Sequence, residues 1–336
     1  MSRSVEPRAA IIGAGLMGRW HADAIARIGG RVTLIMDPNL EALTALGRRH
    51  PHARLVTELD PSLVASLAVA AHVCTPLATH AALITRLIEA HVHVLAEKPL
   101  TESAETTATL LSLAAGRGVT LCPVHQFLFQ DGVRRVLRWL PEMGMLRRIE
   151  FSACSAGAAG DDPASLDALI GEILPHPLAL VAAMLRLPVA RMNWQVVHPT
   201  PGEFRATATA GGAVVDLAIS AHGRPTENLV RVVADGGSAS VDLFHGYAVR
   251  HGQAVSRRAK IAHPFVLSAR NFRGASVNLV RRLARREPAY PGLRELLRAF
   301  HGAVARGGVS PIAPEAVLDV AMARDRLLSR LDRRPR

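Results

Sequence analysis

Lysine is almost missing from this chain. Of 40 lysines and arginines, lysine stands only at 98 and 260, so arginine serves wherever a plain cation will do. Lysine, unlike arginine, can lose its proton inside a protein, so Lys98, set between Glu97 and Pro99, is a candidate for proton transfer. The other reading is a surface residue left by codon usage. Cysteine is scarce too: Cys74, Cys122 and Cys154 are odd in number, lie in apolar runs and show no C-x-x-C spacing. That indicates neither a disulfide framework nor a structural zinc site and suits reduced core residues; no metal is expected. No early run of about 18 uncharged apolar residues follows the basic opening Met1-Ser2-Arg3, so the chain reads as soluble and cytoplasmic.

Acidic residues are in the minority, 28 against 40 basic ones, for a net charge of +12. The arginines are spread along the chain, with clusters at 134–148, 257–286 and the last dozen residues. No nucleic-acid module or run of interleaved aromatics accompanies them, and aromatics make up only 4% of the chain, so nucleic acid is not an expected partner.

At 336 residues the chain is long enough for two domains. Residues 8–12 read as a short buried strand running into Gly13-Ala14-Gly15-Leu16-Met17-Gly18, with a helical pattern through Ile28. In that context G-x-G-x-x-G makes a tight turn, brings backbone close to a pyrophosphate and aims a helix N-terminus at the anion. The next strand, 32–36, ends in Asp37, where a carboxylate can accept from both hydroxyls of an adenine ribose and would repel a 2′-phosphate. NAD is therefore expected ahead of NADP. Asp37 also reads as a turn residue before Pro38-Asn39, and the two roles are compatible.

Strands and helices then alternate: a helix at 39–48, short apolar runs at 55–56 and 67–74, a helix at 79–90, a strand at 92–95, a helix at 102–115 and a strand at 119–122. This is the pattern of a parallel, doubly wound sheet, an α/β Rossmann domain. Ligands of such sheets bind beyond the carboxyl ends of the strands, where Thr75-Pro76, Glu97-Lys98-Pro99 and Pro123-Val124-His125-Gln126 fall. His91 and His93 alternate on one strand and read as structural.

Taken together, Gly13-x-Gly15-x-x-Gly18, Asp37, Thr75-Pro76-x-x-x-His80 and Glu97-Lys98-Pro99 resemble the family of glucose-fructose oxidoreductase, inositol dehydrogenase and MocA. The resemblance spans about the first 125 residues. It implies that Gly13, Gly15, Leu16, Met17, Gly18, Asp37, Thr75, Pro76, His80, Glu97, Lys98 and Gln126 hold the cofactor. It also implies a second, α+β domain with a large, mostly antiparallel open sheet, and a homo-oligomer, dimer or tetramer. Domains are expected at 1–124 and 125–336, the last helices packing back on the body.

The second half fits that expectation. A helix at 132–140 and a strand at 146–154 precede an Ala/Gly/Asp loop at 155–163 and an apolar helix at 176–187. Strand-like runs follow at 190–197, 203–210, 213–221, 227–234 and 238–244, with turns at Gly211-Gly212 and Gly236-Gly237, then helices at 291–305 and 314–331. In the family a carboxylate and a histidine four residues apart belong to the active site; here Gly171-Glu172-Ile173-Leu174-Pro175-His176 matches with Glu in place of Asp. Removing a hydroxyl proton as a carbonyl forms needs a group titrating near neutrality, which suits His176, with Lys98 orienting the oxygen or relaying the proton.

Two departures stand out. Pro175 and Pro177 start a helix near 175, so Glu172 has no fixed face relative to His176; it is either a catalytic carboxylate or a capping one. After the sixth strand many relatives read His-Asn-x-Arg-Phe and this chain reads His125-Gln126-Phe127-Leu128-Phe129, which points to a substrate less polar than a free sugar: a modified sugar, a ketone or an imine. Residues 256–286 interleave arginines with apolar residues and read as a solvated helix face, or as an amphipathic segment against an anionic surface, a nucleotide-sugar phosphate or a neighbouring subunit, without stable membrane insertion. The leading expectation is an NAD(H)-dependent oxidoreductase acting on a small-molecule hydroxyl, carbonyl or imine. The alternatives are a redox-neutral enzyme that recycles bound NAD, and a noncatalytic nucleotide-binding sensor.

Overall fold

The computed structural model describes residues 6–155, 162–252, 256–287 and 289–331, side chains of 257–259 excepted. The loop expected at 155–163 therefore lies mostly outside the described residues, as do the side chains of Arg257 and Arg258 and the final arginines. The chain divides into two compact units: one runs through His125 and takes in Leu293–Met322, the other is Gln126–Gly292 with the residues from Ala323 on.

The first unit opens on β1 (Arg8–Ile12), α1 (Leu16–Arg27), β2 (Arg31–Met36), α2 (Leu40–Gly47), β3 (Arg54–Val56) and α3 (Pro61–Leu67). It continues with β4 (Ala70–Val73), α4 (His80–Glu89), β5 (His93–Ala96), α5 (Ala104–Gly116) and β6 (Leu121–Pro123). The six strands are parallel in the order β3-β2-β1-β4-β5-β6, so the winding reverses between β1 and β4. Ala9 to Ile12 and Ala70 to Val73 are wholly buried, because helices cover both faces and leave no solvent side for polar residues to alternate onto.

Helix starts are set by short polar side chains. Asn39 accepts from the Glu41 and Ala42 amides, and Asp60 accepts from those of Ser62 and Leu63 ahead of α3, with Pro61 in its first turn. Helix α3 was not expected from periodicity, although Asp60-Pro61 carried its signal. His91 lies in a turn at φ 59° rather than on β5, so it does not share a strand with His93, whose Nδ1 accepts from the Thr120 amide.

The second unit begins with α6 (Asp131–Trp139), β7 (Leu146–Cys154), α7 (Pro163–Ile173), α8 (Pro175–Leu185), β8 (Gln195–Val197), β9 (Glu203–Ala210) and β10 (Ala213–Ser220). Next come β11 (Glu227–Ala234), β12 (Gly237–Asp242), β13 (Tyr247–His251) and α9 (Arg257–Ala284). Its seven-stranded sheet runs β13-β12-β11-β7-β10-β9-β8 and is antiparallel except for the β7–β10 pair. Gly211 and Gly212, at φ 58° and 80°, make the two-residue turn that fixes the β9–β10 register.

The strand expected over 190–197 shrinks to β8. Pro188 leads into a tight helical turn at Val189–Arg191, and the buried indole of Trp194 donates to the Val189 carbonyl, which folds the segment back on itself. Residues 163–185 are apolar enough to cross a membrane by length and composition, but they form two helices and 61% of the stretch is buried, as in a core. After α9 the chain returns to the first unit as α10 (Leu293–Ala305), whose apolar face packs on α1, and ends in α11 (Pro314–Leu328).

Candidate active site

The glycine loop joins β1 to α1. Gly13 sits at φ 99° and donates to the Met36 carbonyl at 2.8 Å. A Cβ there would lie 2.7 Å from the Cys74 carbonyl oxygen, and one on Gly18 would fall on the Gly13 carbonyl, so neither position takes a larger residue without moving backbone. Gly15 is different: a Cβ there would meet no protein atom within 4 Å, and no side chain caps α1. The helix thus presents its uncapped N-terminus, with Leu16 exposed and Met17 half-buried beside it, to open space. A glycine that packing does not require, set before an uncapped helix, is what close approach of an anionic group needs.

Asp37, at the end of β2, ties that loop down. Its Oδ2 accepts from the Ala14 amide at 2.6 Å and its Oδ1 from the Asn39 amide at 2.8 Å. The turn role foreseen for it is real. Each oxygen keeps a lone pair that a further donor, such as a ribose hydroxyl, can use.

On the other side of the β1–β4 switch, His80 joins two loops. Its Nε2 lies 2.9 Å from the Thr75 carbonyl, and its Nδ1 3.1 Å from that of Pro99 and 3.2 Å from that of Leu100. His80 is buried, so within this structure it fastens the Thr75-Pro76 loop to the turn after β5. In that turn Lys98–Pro99 is a cis peptide, the Lys98 side chain is half-buried, and its amide donates to Glu97 Oε2 at 3.2 Å. Burial, followed by the nearby Lys98 ammonium, pushes His125 down to about 4, so this imidazole is neutral at physiological pH.

Sequence reading missed what lies behind Glu97. Its Oε1 is 3.1 Å from His21 Nε2; His21 Nδ1 is 2.9 Å from His72 Nδ1; His72 Nε2 is 3.0 Å from His301 Nε2. All four residues are buried. A carboxylate only accepts, so His21 carries its proton on Nε2 and accepts on Nδ1 from His72, which in turn accepts from His301. The four side chains form one directed line of hydrogen bonds ending on the residue before Lys98. Burial, and then the neighbouring imidazoles, hold His72 well below the usual histidine range, and His301 is pushed down to about 4 for the same reasons. His72 was marked in the sequence as a polar residue inside an apolar strand, and His21 by its place one helical turn after Gly18. Nothing in the sequence joins either to His301.

In the second unit His176 lies in the first turn of α8, 7% exposed, with its ring stacked on Phe127 at 4.2 Å between centroids. The apolar substitution after β6 therefore has a structural purpose, since Phe127 packs on the candidate base. Arg134 stands over the ring of Phe129 at 5.2 Å. Glu172 is exposed and belongs to α7, a different helix from His176, because Pro175 restarts the chain after Leu174. Helix α7 itself was not expected; Asp162 accepts from the Ser165 amide with Pro163 next in line, an N-terminal signature present in the sequence. Gln126 is buried and its Oε1 has no hydrogen-bond partner among the described residues. Also among the described residues, no group of three His, Cys, Asp or Glu side chains could hold a metal ion.

Residues 7–125 match the model of the GFO_IDH_MocA oxidoreductase family, NAD-binding Rossmann fold. The first domain, residues 7–125, is therefore of that family. Among curated relatives, inositol 2-dehydrogenase of Rhodococcus erythropolis is 31% identical over 52% of each chain. UDP-N-acetylglucosamine 3-dehydrogenase of Acidithiobacillus ferrooxidans is 29% identical over 72% of this chain and 75% of that protein. The first of these alignments thus spans about half of the curated relative's length. The solved structure of the Acidithiobacillus enzyme superposes with a TM-score of 0.74 at 19% identity, covering 97% of this chain and 98% of that one. A 3-ketoreductase from Actinomadura kijaniata in complex with NADP gives 0.73 at 21% identity over 97% of each. Both share the family's Rossmann sheet and mostly antiparallel second sheet with this chain.

Proposed function

We propose that this protein is a nicotinamide-dependent oxidoreductase that interconverts a hydroxyl and a carbonyl on a sugar-related small molecule. The observation that carries the reading is the glycine loop: an uncapped helix start behind Gly15 with open space in front of it, backed by Asp37. Gly13, Gly15, Leu16, Met17 and Gly18 would hold the dinucleotide's phosphates, Asp37 its adenine ribose, and the Thr75-Pro76 and Glu97-Lys98 turns the nicotinamide end, with Gln126 as a further polar contact. Asp37 favours NAD over NADP, because a carboxylate repels a 2′-phosphate. When bound, the cofactor supplies or takes up the hydride.

Lys98 and His176 are assigned the proton. The support is local to each unit. Lys98 follows Glu97, whose carboxylate is oriented by the buried histidine line, and lies close enough to His125 to depress it. His176 has its ring held by Phe127. Glu172, exposed on α7, is left to capping or solvent contact. The named activities of the relatives, an inositol 2-dehydrogenase, a UDP-N-acetylglucosamine 3-dehydrogenase and a 3-ketoreductase, suggest polyols and nucleotide-linked sugars as first substrates. Phe127, Leu128 and Phe129 favour the less polar of these. A cytoplasmic homo-oligomer completes the reading, and a light-scattering mass checks the assembly.

The test is turnover of NADH or NADPH, followed by near-ultraviolet absorbance, against keto-sugars and nucleotide-linked keto-sugars, and the reverse with inositols and nucleotide sugars. Cofactor-dependent turnover of one class is expected. Conversion of substrate with no net change in nicotinamide absorbance would replace the reading with a redox-neutral reaction.

A further inference from the structure

Helix α9 lies on the second unit with one face and offers the opposite face to solvent. Its inner side is fixed by Arg270, which donates to the Arg250 carbonyl at 3.1 Å, and by Asn278, which donates to that of His245 at 3.0 Å. Between them Gly274 lies so close to β13 that a Cβ would stand 3.3 Å from Tyr247 and Val249. The outer side carries Ile261, Phe265, Phe272, Leu279, Val280 and Leu283, each 59% to 78% exposed. At 100° per residue, all of these but Val280 fall on one narrow stripe. Burying such side chains is worth more than any other surface contact they could make with water, so a stripe of this length marks a docking face.

Charge selects the occupant. Residues 256–286 hold eight arginines and Lys260 and no aspartate or glutamate. Lys260, Arg273 and Arg286 are exposed, and Lys260 and Arg273 flank the stripe on either side. A second copy of the helix would bring cations onto cations with no carboxylate in between. A nucleic acid would satisfy the arginines and could stack on the phenylalanines, but it would leave Ile261, Leu279 and Leu283 in water. An anionic bilayer satisfies both: the apolar stripe enters the boundary between headgroups and acyl chains, and the long basic side chains reach the phosphates.

We propose that α9 is a peripheral membrane-docking helix that seats this protein on an anionic lipid surface. The inference is independent of the redox reading.

The full chain is sedimented with vesicles of phosphatidylcholine alone and of phosphatidylcholine with about 30 mol% phosphatidylglycerol, at about 0.1 M and about 0.5 M salt. Binding to the anionic vesicles at least about tenfold stronger than to the neutral ones, and weakened by salt, is expected. A Phe265→Ser, Phe272→Ser, Leu279→Ser variant should lose about tenfold or more in partitioning, and a separate Arg273→Glu, Arg286→Glu variant should lose the preference for anionic lipid. All five positions are exposed, so unchanged circular dichroism is expected of both. Equal sedimentation with both vesicle types, or a serine variant that binds like the parent, would overturn the proposal. So would a light-scattering mass that drops by half in the serine variant while neither protein binds vesicles, since a second copy would then be the occupant.

Discussion

His72, in the middle of β4, places its Nε2 3.0 Å from the Nε2 of His301 on α10, 229 positions further along the chain. The bond closes the far end of the line that reaches Glu97 through His21, and it ties α10 to the strand β4 of the first unit. Glu97 is thereby held by a partner that is itself held, and the turn carrying Lys98 inherits the rigidity.

Two buried histidines, His301 in the line and His125 beside Lys98, set a pH dependence of stability. His301 and His125 titrate at about 4 in the folded protein, and an unfolded chain would bind the same protons near 6.5. Below about 6.5 the unfolded state therefore takes up more protons, so stability falls with falling pH and levels off below about 4, by on the order of 3 kcal/mol per histidine. Urea denaturation at intervals between pH 7 and 4 should show this loss, and no dependence above 7 from these groups. A flat profile across that window would contradict it.

Replacing His72 with leucine removes both of its hydrogen bonds at once. His21 Nδ1 and His301 Nε2 are then left buried opposite a methyl group, at a cost of about 1–3 kcal/mol for each group left unpaired. A His72→Leu melting temperature equal to that of the parent would mean that the line is not maintained in solution.

Asp37→Ala tests cofactor choice. Loss of the carboxylate removes the repulsion of a 2′-phosphate and a partner for ribose hydroxyls, so the ratio of NADH to NADPH affinity should shift toward NADPH by about tenfold. The Ala14 amide also loses its acceptor, which should lower thermal stability by about 1 kcal/mol. An unchanged cofactor ratio would remove the ribose role and leave Asp37 as a turn residue.

Lys98→Ala should lower kcat about 10²-fold or more, the usual worth of a positioned proton-transfer group, with dinucleotide affinity within about threefold of the parent. A pH profile measured on the parent and on His176→Gln separates the two assigned groups. Loss of one limb of the profile in the histidine variant is expected, and an unaltered profile would take His176 out of the reaction.

The first unit was legible because its signals are local. Gly13, Gly15, Gly18 and Asp37 announce themselves by spacing, and the strands are continuous apolar runs. The β9 to β12 hairpins were equally plain from alternation and paired glycines. The histidine line was not legible, since His72 and His301 look like separate buried polar residues until β4 and α10 are seen packed together. Helices α3 and α7 were missed for a different reason: each has an Asp-Pro start, but they are only 7 and 11 residues long and run straight into the next element.

Titration of the full chain with NADH, read by the fluorescence of the reduced nicotinamide, tests the central claim most directly. A saturable change below about 1 mM is expected of the parent, and its loss in a Gly13→Val variant that keeps its far-ultraviolet dichroism. No saturable response to NADH or NADPH in that range would contradict the assignment of the Gly15 opening to a dinucleotide.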